Sequence, residues 1–96
     1  MERILFVDDE QFVLDGFKRL LRDYRETWHL EYASSGPEAL KILKDKSFDV
    51  IITDIRMPGM SGLEMLERLQ AEDHTKNIPV VILTGAGDHD RTLKRN

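Results

Sequence analysis

The centre of this sequence reads Asp49-Val-Ile-Ile-Thr-Asp54-Ile-Arg-Met-Pro-Gly59. Residues 50–52 are consecutive and β-branched, which predicts a strand that is buried on both faces. The Pro-Gly pair that follows indicates a turn. Asp54 is therefore expected at the carboxyl end of a central strand, which is the edge where open α/β sheets bind their ligands.

Apolar runs on both sides of this stretch predict three more strands. Residues 4–7 form a short run that ends on the acidic triplet Asp8-Asp9-Glu10. Residues 28–33 alternate loosely, which favours a shorter strand at an edge. Residues 80–83 are continuously apolar and predict a strand buried on both faces, followed directly by Thr84.

Helical patterns lie between these predicted strands. An amphipathic helix is expected from about residue 11 to 24, because an apolar stripe recurs there at helical spacing. The stripe consists of Phe12, Val13, Gly16, Phe17, Leu20, Leu21 and Tyr24. Ser35 with Glu38, and Ser61 with Glu64, have the spacing of capping boxes and predict the start of two further helices. The expected buried side chains of these two helices are Ala39, Leu40, Ile42, Leu43, Leu63, Leu66 and Leu69. Met57, Met60 and Met65 are expected to pack in a loop or on the helix surface.

The order β-α-β-α-β-α-β, with the beginning of a fourth helix near Asp88, predicts an α/β fold with a doubly wound parallel sheet. The 96 residues form one predicted domain, 1–96, without internal repeats. A net charge of −4 and a pI near 5.3 argue against general binding to nucleic acids or membrane surfaces. The chain has no cysteine, no apolar leader and no apolar run long enough for a bilayer, so a cytoplasmic protein is expected.

Polar side chains stand at the carboxyl ends of three predicted strands: Asp8 and Asp9, Asp54, and Thr84. They converge if these strands are neighbours in the sheet. Carboxylates that close together need a proton or a cation between them. Oxygen ligands with room for water suit Mg²⁺ or Mn²⁺.

A carboxylate beside such a cation can attack phosphorus, because the metal screens the approach of two anions. The hydroxyl of Thr84 and the backbone N–H groups of Gly85 and Ala86 can donate to phosphoryl oxygens. The residues alone thus point to phosphoryl chemistry at Asp54.

Three segments closely resemble the receiver domains of bacterial two-component response regulators. They are Phe6-Val-Asp-Asp-Glu10, then Ile52-Thr-Asp-Ile-Arg-Met-Pro-Gly-Met-Ser-Gly62, and Ile82-Leu-Thr-Gly85. The resemblance extends over the whole chain in order and spacing, and the Met-Pro-Gly-Met-Ser-Gly run makes it specific. It implies a flavodoxin-like sheet with strand order 2-1-3-4 and a signalling function.

The same resemblance implies a role for each matching residue. Asp54 would accept a phosphoryl group from a histidine kinase or a phosphotransfer protein. Asp8, Asp9, Asp54 and the backbone carbonyl of Arg56 would hold Mg²⁺, Asp8 mainly through water. Thr84 would be the switch hydroxyl, and the N–H of Gly85 would donate to the phosphoryl group. Arg56 and Ala86 occupy positions that tune dephosphorylation in this family.

The sequence departs from the family pattern after residue 83. Receiver domains have a fifth strand, a fifth helix and a lysine that pairs with the phosphoryl group, and the usual fifth strand and helix are missing before Asn96. Without the fifth strand, residues 80–83 would form an open apolar edge. We therefore expect a homodimer, or a segment-exchanged assembly, across this edge.

Two alternatives to the phosphoacceptor interpretation stay open. The first is a degenerate receiver that acts as a phosphate-independent dimerisation or interaction module. The second is a Mg²⁺-dependent phosphatase with an aspartyl nucleophile, which usually has a second acid two residues after the nucleophile, where this chain has Arg56.

Overall fold

The computed structural model describes residues 2–83. Within them, strands and helices alternate along the chain as the sequence predicts. The elements are β1 (Glu2–Val7), α1 (Gln11–Leu20), a 3₁₀ turn (Arg22–Tyr24), β2 (Trp28–Ala33), α2 (Gly36–Asp45), β3 (Val50–Asp54), α3 (Gly62–Gln70) and β4 (Val80–Leu83). None of these helices combines the length and the apolar character that a membrane span requires.

The four strands form one parallel sheet in the order β2-β1-β3-β4, which confirms the predicted fold class and strand order. β2 is an edge strand, as its loose alternation predicts. The expectation that it is shorter than the other strands is wrong, because its 6 residues equal the length of β1 and exceed those of β3 and β4. The register between β1 and β3 pairs Val7 with Thr53. Because both strands run in the same direction, the residues that follow this pair, Asp8 and Asp54, meet at one edge of the sheet.

The main core lies between the sheet and helices α2 and α3. Leu5 and Ile51 of the sheet and Met65 of α3 are completely buried there. The expectation that Met65 lies on the helix surface is therefore wrong. The position falls on the inward side of α3, whereas Leu63, expected to be buried, is 51% exposed.

The opposite face of the sheet carries a smaller aromatic cluster under α1. The Phe6 ring lies 4.7 Å from that of Phe17 and 5.3 Å from that of Tyr32, measured between centroids. Two members of the predicted apolar stripe, Phe12 and Leu20, are instead 77% and 72% exposed. The buried residue of α1 is instead Leu14, with 2% exposed, so the inward side of the helix is centred closer to Leu14 and Phe17 than the stripe predicts.

The predicted helix over residues 11–24 ends earlier than expected, at Leu20. The chain then tightens into the 3₁₀ turn, where the N–H of Tyr24 donates to the carbonyl of Leu21 at 2.9 Å. This turn brings the Tyr24 ring onto Trp28, with centroids 4.9 Å apart. This contact, between residues four apart in the sequence, accompanies the early end of the helix.

Both predicted helix starts are found, but their caps differ. At α3, Ser61 and Glu64 form the complete reciprocal capping box. At α2, the Ser35 hydroxyl accepts from the Glu38 N–H at 3.1 Å, whereas the Glu38 carboxylate turns to Ser34. The prediction of a complete capping box is therefore wrong at α2. The Glu38 carboxylate accepts from both the N–H and the hydroxyl of Ser34, and not from the N–H of Ser35.

The prediction that β3 and β4 are buried on both faces is wrong in part. In β3, Ile51 and Thr53 are fully buried, whereas the alternate residues are half-buried. In β4, Val81 and Leu83 are 47% and 37% exposed. They share a face of the sheet with Phe6, but α1 lies over β1 and does not reach the outermost strand of the described sheet.

Candidate functional site

Three carboxylates meet at the carboxyl edge of the sheet, as the strand ends predict. Asp8 and Asp9 follow β1, and Asp54 ends β3. One oxygen from each can be chosen so that all three lie within 4.8 Å of one another. We call these three residues the acidic cluster. Carboxylate oxygens in this number and spacing are the donor set that hard divalent cations prefer.

Asp8 is the buried member of the acidic cluster, with 8% of its surface exposed. Its Oδ1 accepts a hydrogen bond from the backbone N–H of Glu10 at 2.9 Å. Burial raises the pKa of the Asp8 carboxyl, and the negative charges of Asp54 and Asp9 raise it further, while the hydrogen bond from Glu10 partly offsets this. Ionising Asp8 therefore costs more free energy in the folded chain than in water, and a bound cation would reduce that cost.

Asp54 is half-buried, so its carboxylate remains within reach of solvent. Its Oδ1 accepts a hydrogen bond from the backbone N–H of Ile55 at 2.9 Å, which restricts the orientation of the carboxylate. The other oxygen, Oδ2, is left to meet a metal ion or an electrophile. Asp9, by contrast, is exposed and stands at the entrance of the cluster.

The loop after Asp54 is held close to the strand by Gly62. The N–H of Gly62 donates to the carbonyl of Ile55 at 2.8 Å. A Cβ at Gly62 would overlap the Asp54 carbonyl oxygen and come within 3.1 Å of the Ile55 Cα. The sequence analysis did not assign this role to Gly62. A usable signal was the glycine directly after the capping Ser61, because the first position of a helix does not require glycine.

The same loop turns at Gly59, whose φ of 82° is a conformation that favours glycine. This confirms the predicted Pro-Gly turn. Met57 fastens the loop by burying its side chain in the core, with 8% exposed. Arg56 lies between Asp54 and Met57 with its side chain exposed.

The remaining predicted site residues, Thr84 and Gly85, lie outside the described residues, as do Ala86 and the expected fourth helix. The described part ends at Leu83, which is paired in register with Asp54. The structure therefore brings together Asp8, Asp9 and Asp54, and the roles of Thr84 and Gly85 stay predictions.

The fold and the acidic cluster define a doubly wound α/β protein whose functional groups stand at the carboxyl ends of parallel strands. More specifically, the chain belongs to the response regulator receiver domain family, whose model matches residues 4–95. It is thus a receiver domain of two-component signalling, as the sequence motifs predict.

Individual relatives agree with this assignment. The chain is 36% identical over 92 residues to the chemotaxis protein CheY of Pseudomonas aeruginosa, which covers 96% of this chain and 73% of that protein. It is 35% identical over 91 residues to the sporulation initiation phosphotransferase F of Bacillus subtilis, covering 93% of this chain and 68% of that protein. Among solved structures, CheY4 of Vibrio cholerae superposes with a TM-score of 0.79 at 30% identity, covering 96% of this chain and 76% of that one.

Proposed function

We propose that Asp54 is a phosphoacceptor that receives a phosphoryl group from a histidine kinase or a phosphotransfer protein. The observation that carries this proposal is the position of Asp54 in the acidic cluster, half-buried at the end of β3 and within 4.8 Å of Asp8 and Asp9. A carboxylate in a purely structural turn has no need of two further carboxylates beside it.

The proposed reaction is a single displacement at phosphorus. Oδ2 of Asp54 forms a bond to the phosphorus of a phosphohistidine, and the P–N bond breaks. Its electron pair returns to the imidazole nitrogen of the donor, which takes up a proton from solvent. The product is an acyl phosphate on Asp54, and no other co-reactant is consumed.

The residues that would hold the metal are Asp8, Asp9, Asp54 and the backbone carbonyl of Arg56. They fit a hard cation, because they are oxygen donors and because burial and like charges already disfavour the ionised form of Asp8. Mg²⁺, or Mn²⁺ in its place, would supply positive charge to offset the approach of the anionic phosphoryl group. Asp8 would contribute a buried carboxylate oxygen, and Asp9 an exposed one.

Thr84 and Gly85 complete the proposed site. Their hydroxyl and N–H groups would donate to the phosphoryl oxygens and so report phosphorylation to a partner surface. This part of the proposal rests on the family motif alone.

The test is uptake of a phosphoryl group from acetyl phosphate in the presence of Mg²⁺, followed by intact mass. We expect one added phosphoryl group on the wild-type chain, and none on Asp54→Asn or after chelation of the metal. Asp23→Asn is the matched control, because it removes the same charge at an exposed position. Equal labelling of Asp54→Asn and the wild type would refute the proposal.

β4 favours a second candidate function, an interaction module that dimerises without phosphate. β4 is the outermost strand of the described sheet, and Val81 and Leu83 expose 47% and 37% of their surface. Such an edge is a template for pairing with a second copy. Sedimentation velocity of the unphosphorylated chain tests this, and a single compact monomer at all concentrations would exclude the dimer.

A further inference from the structure

A groove lies between α2 and α3, and none of its lining residues belongs to the acidic cluster. Its volume is about 750 Å³. Pro37 and Leu40 of α2 line one wall, and Arg68 and Leu69 of α3 line the other. Met60, from the loop before α3, closes one end. We call this surface the α2–α3 groove.

The floor of the α2–α3 groove is apolar. Leu43 and Leu69, at its base, belong to the buried core. Leu40 and Met60 are half-buried and present apolar surface to whatever enters. Met60 lies closely against Gly36 at the start of α2, where a Cβ would come within 2.7 Å of its sulfur, so this part of the floor is well fixed.

The rim of the groove is basic. Lys41 and Lys44 stand three residues apart on α2, and Arg68 stands opposite on α3, with Glu72 as the single acid on the lining. Within residues 2–83, neither Lys44 nor Arg68 takes part in an ion pair. The lining thus carries three cations and one acid, on a chain whose net charge is −4, and Lys41 lies near the Glu38 carboxylate.

We propose that the α2–α3 groove docks an acidic amphipathic helix of a partner protein. The helix would place apolar side chains, spaced i, i+3, i+4 and i+7, on Leu40 and Met60. Its flanking carboxylates would pair with Lys44 and Arg68, which gives the docking its charge selectivity. The lining residues of α2 run from Pro37 to Lys44, a length of about 12 Å, which matches about two turns of such a helix.

Two other occupants fit the groove less well. An anionic membrane surface would reach the basic rim but not the apolar floor, which is recessed between two helices. A second copy of this chain could offer the exposed Leu20 of α1, but Arg19 and Arg22 beside it would meet the basic rim with like charge. A separate partner with an acidic amphipathic helix supplies apolar side chains to the floor and negative charge to the rim.

The experiment uses the full chain and a synthetic peptide of about 14 residues, or roughly four helical turns. The peptide carries leucine at i, i+3, i+4 and i+7 spacing and glutamate elsewhere. A control peptide has lysine in place of every glutamate. Because the α2–α3 groove shares no residue with the acidic cluster, binding can be measured without phosphorylation.

We expect the glutamate peptide to shift amide NMR resonances of α2, α3 and residues 71–75, with an affinity that falls as salt is added. The double variant Lys44→Glu/Arg68→Glu should weaken binding about tenfold or more. The matched control Arg19→Glu/Arg22→Glu makes the same change in net charge, also near helix ends, and should retain wild-type binding. If the first variant does not fold, Lys44→Gln/Arg68→Gln tests the same charges more mildly.

Several results would overturn the proposal. One is the absence of resonance shifts in α2 and α3, and another is equal binding of the lysine peptide. A third is equal weakening by the two double variants, which would show an effect of net charge only. Concentration-dependent shifts of the same resonances without peptide would instead identify a second copy as the occupant. Binding to phosphatidylglycerol vesicles but not to the peptide would identify a lipid surface.

Discussion

Replacing Asp54 by asparagine should stabilise the folded chain when no divalent cation is present. The substitution keeps the shape of the side chain, and the asparagine Oδ1 can still accept the hydrogen bond that the Ile55 N–H donates at 2.9 Å. What it removes is one of three negative charges within 4.8 Å of one another. The structure therefore predicts a gain in the free energy of unfolding from reduced repulsion alone.

The size of this gain follows from Coulomb's law. At 4.8 Å, two unit charges repel by about 0.9 kcal/mol in water and by about 3.5 kcal/mol at an effective dielectric constant of about 20. Asp8 is buried and Asp54 is half-buried, so their interaction falls between these limits. We expect a gain of about 1–2 kcal/mol, since partly exposed pairs give values towards the lower limit. A domain of this size would then melt about 4–8 °C higher for each kcal/mol.

The gain should depend on pH through Asp8. Burial and the neighbouring charges raise the pKa of Asp8 in the folded chain above its ordinary value of 3.8. The folded chain thus binds this proton more tightly than the unfolded chain, and the penalty of ionising Asp8 is absent well below pH 3.8. This free-energy penalty grows as the pH rises and reaches its full size above the pKa of Asp8 in the folded chain. The advantage of Asp54→Asn should therefore be small in acid and largest at neutral pH.

The assay is urea unfolding followed by circular dichroism, in chelator, at acidic and neutral pH. Asp23→Asn serves as the control, because it removes one exposed charge outside the acidic cluster and should change stability by less than about 0.5 kcal/mol. A variant Asp54→Asn that is no more stable than the wild type at neutral pH would refute the repulsion argument. A gain of the same size at acidic and neutral pH would also refute the repulsion argument.

Four further substitutions test the loop and the core by urea unfolding. Gly62→Ala should cost about 1–3 kcal/mol, because its Cβ would overlap the Asp54 carbonyl; an unchanged midpoint would contradict the close approach. Ser61→Ala removes the capping hydroxyl of α3 and should cost about 1 kcal/mol, whereas a cost near zero would show that the box adds nothing. Met65→Ala should cost about 2–5 kcal/mol, while Leu63→Ala, at a position 51% exposed, should cost far less; similar losses would contradict the assigned burial.

Much of the fold was predictable because it depends on local patterns. The apolar runs of β1, β3 and β4 are separated by segments with helical spacing and by turn residues. Each of these patterns can be recognised within a short segment of the chain. The start of α3 was also predictable, since Ser61 and Glu64 satisfy each other within one turn of helix. Even the acidic cluster could be anticipated, because parallel strands bring their carboxyl ends to the same edge.

Errors arose where burial depends on which elements cover which part of the sheet. Met65 and Leu63 lie two residues apart on α3, and only packing against the sheet makes the first fully buried and the second exposed. Phe12 and Leu20 fit the apolar stripe of α1, yet the buried residue of that helix is Leu14. Periodicity identifies a helical face, but it carries no information on which part of that face another element covers.

By itself, the sequence determined the class of fold, the residues at the strand ends and the family, since these depend on the order and spacing of residues along the chain. The tertiary structure decided what depends on distance between segments. The register that pairs Val7 with Thr53 brings Asp8 and Asp54 together, and the burial of Asp8, with the nearby charges, raises its pKa. The packing of α2 against α3 creates a basic groove that no single segment contains. Charge repulsion and docking surfaces arise from spatial proximity, so they appear only once the chain has folded.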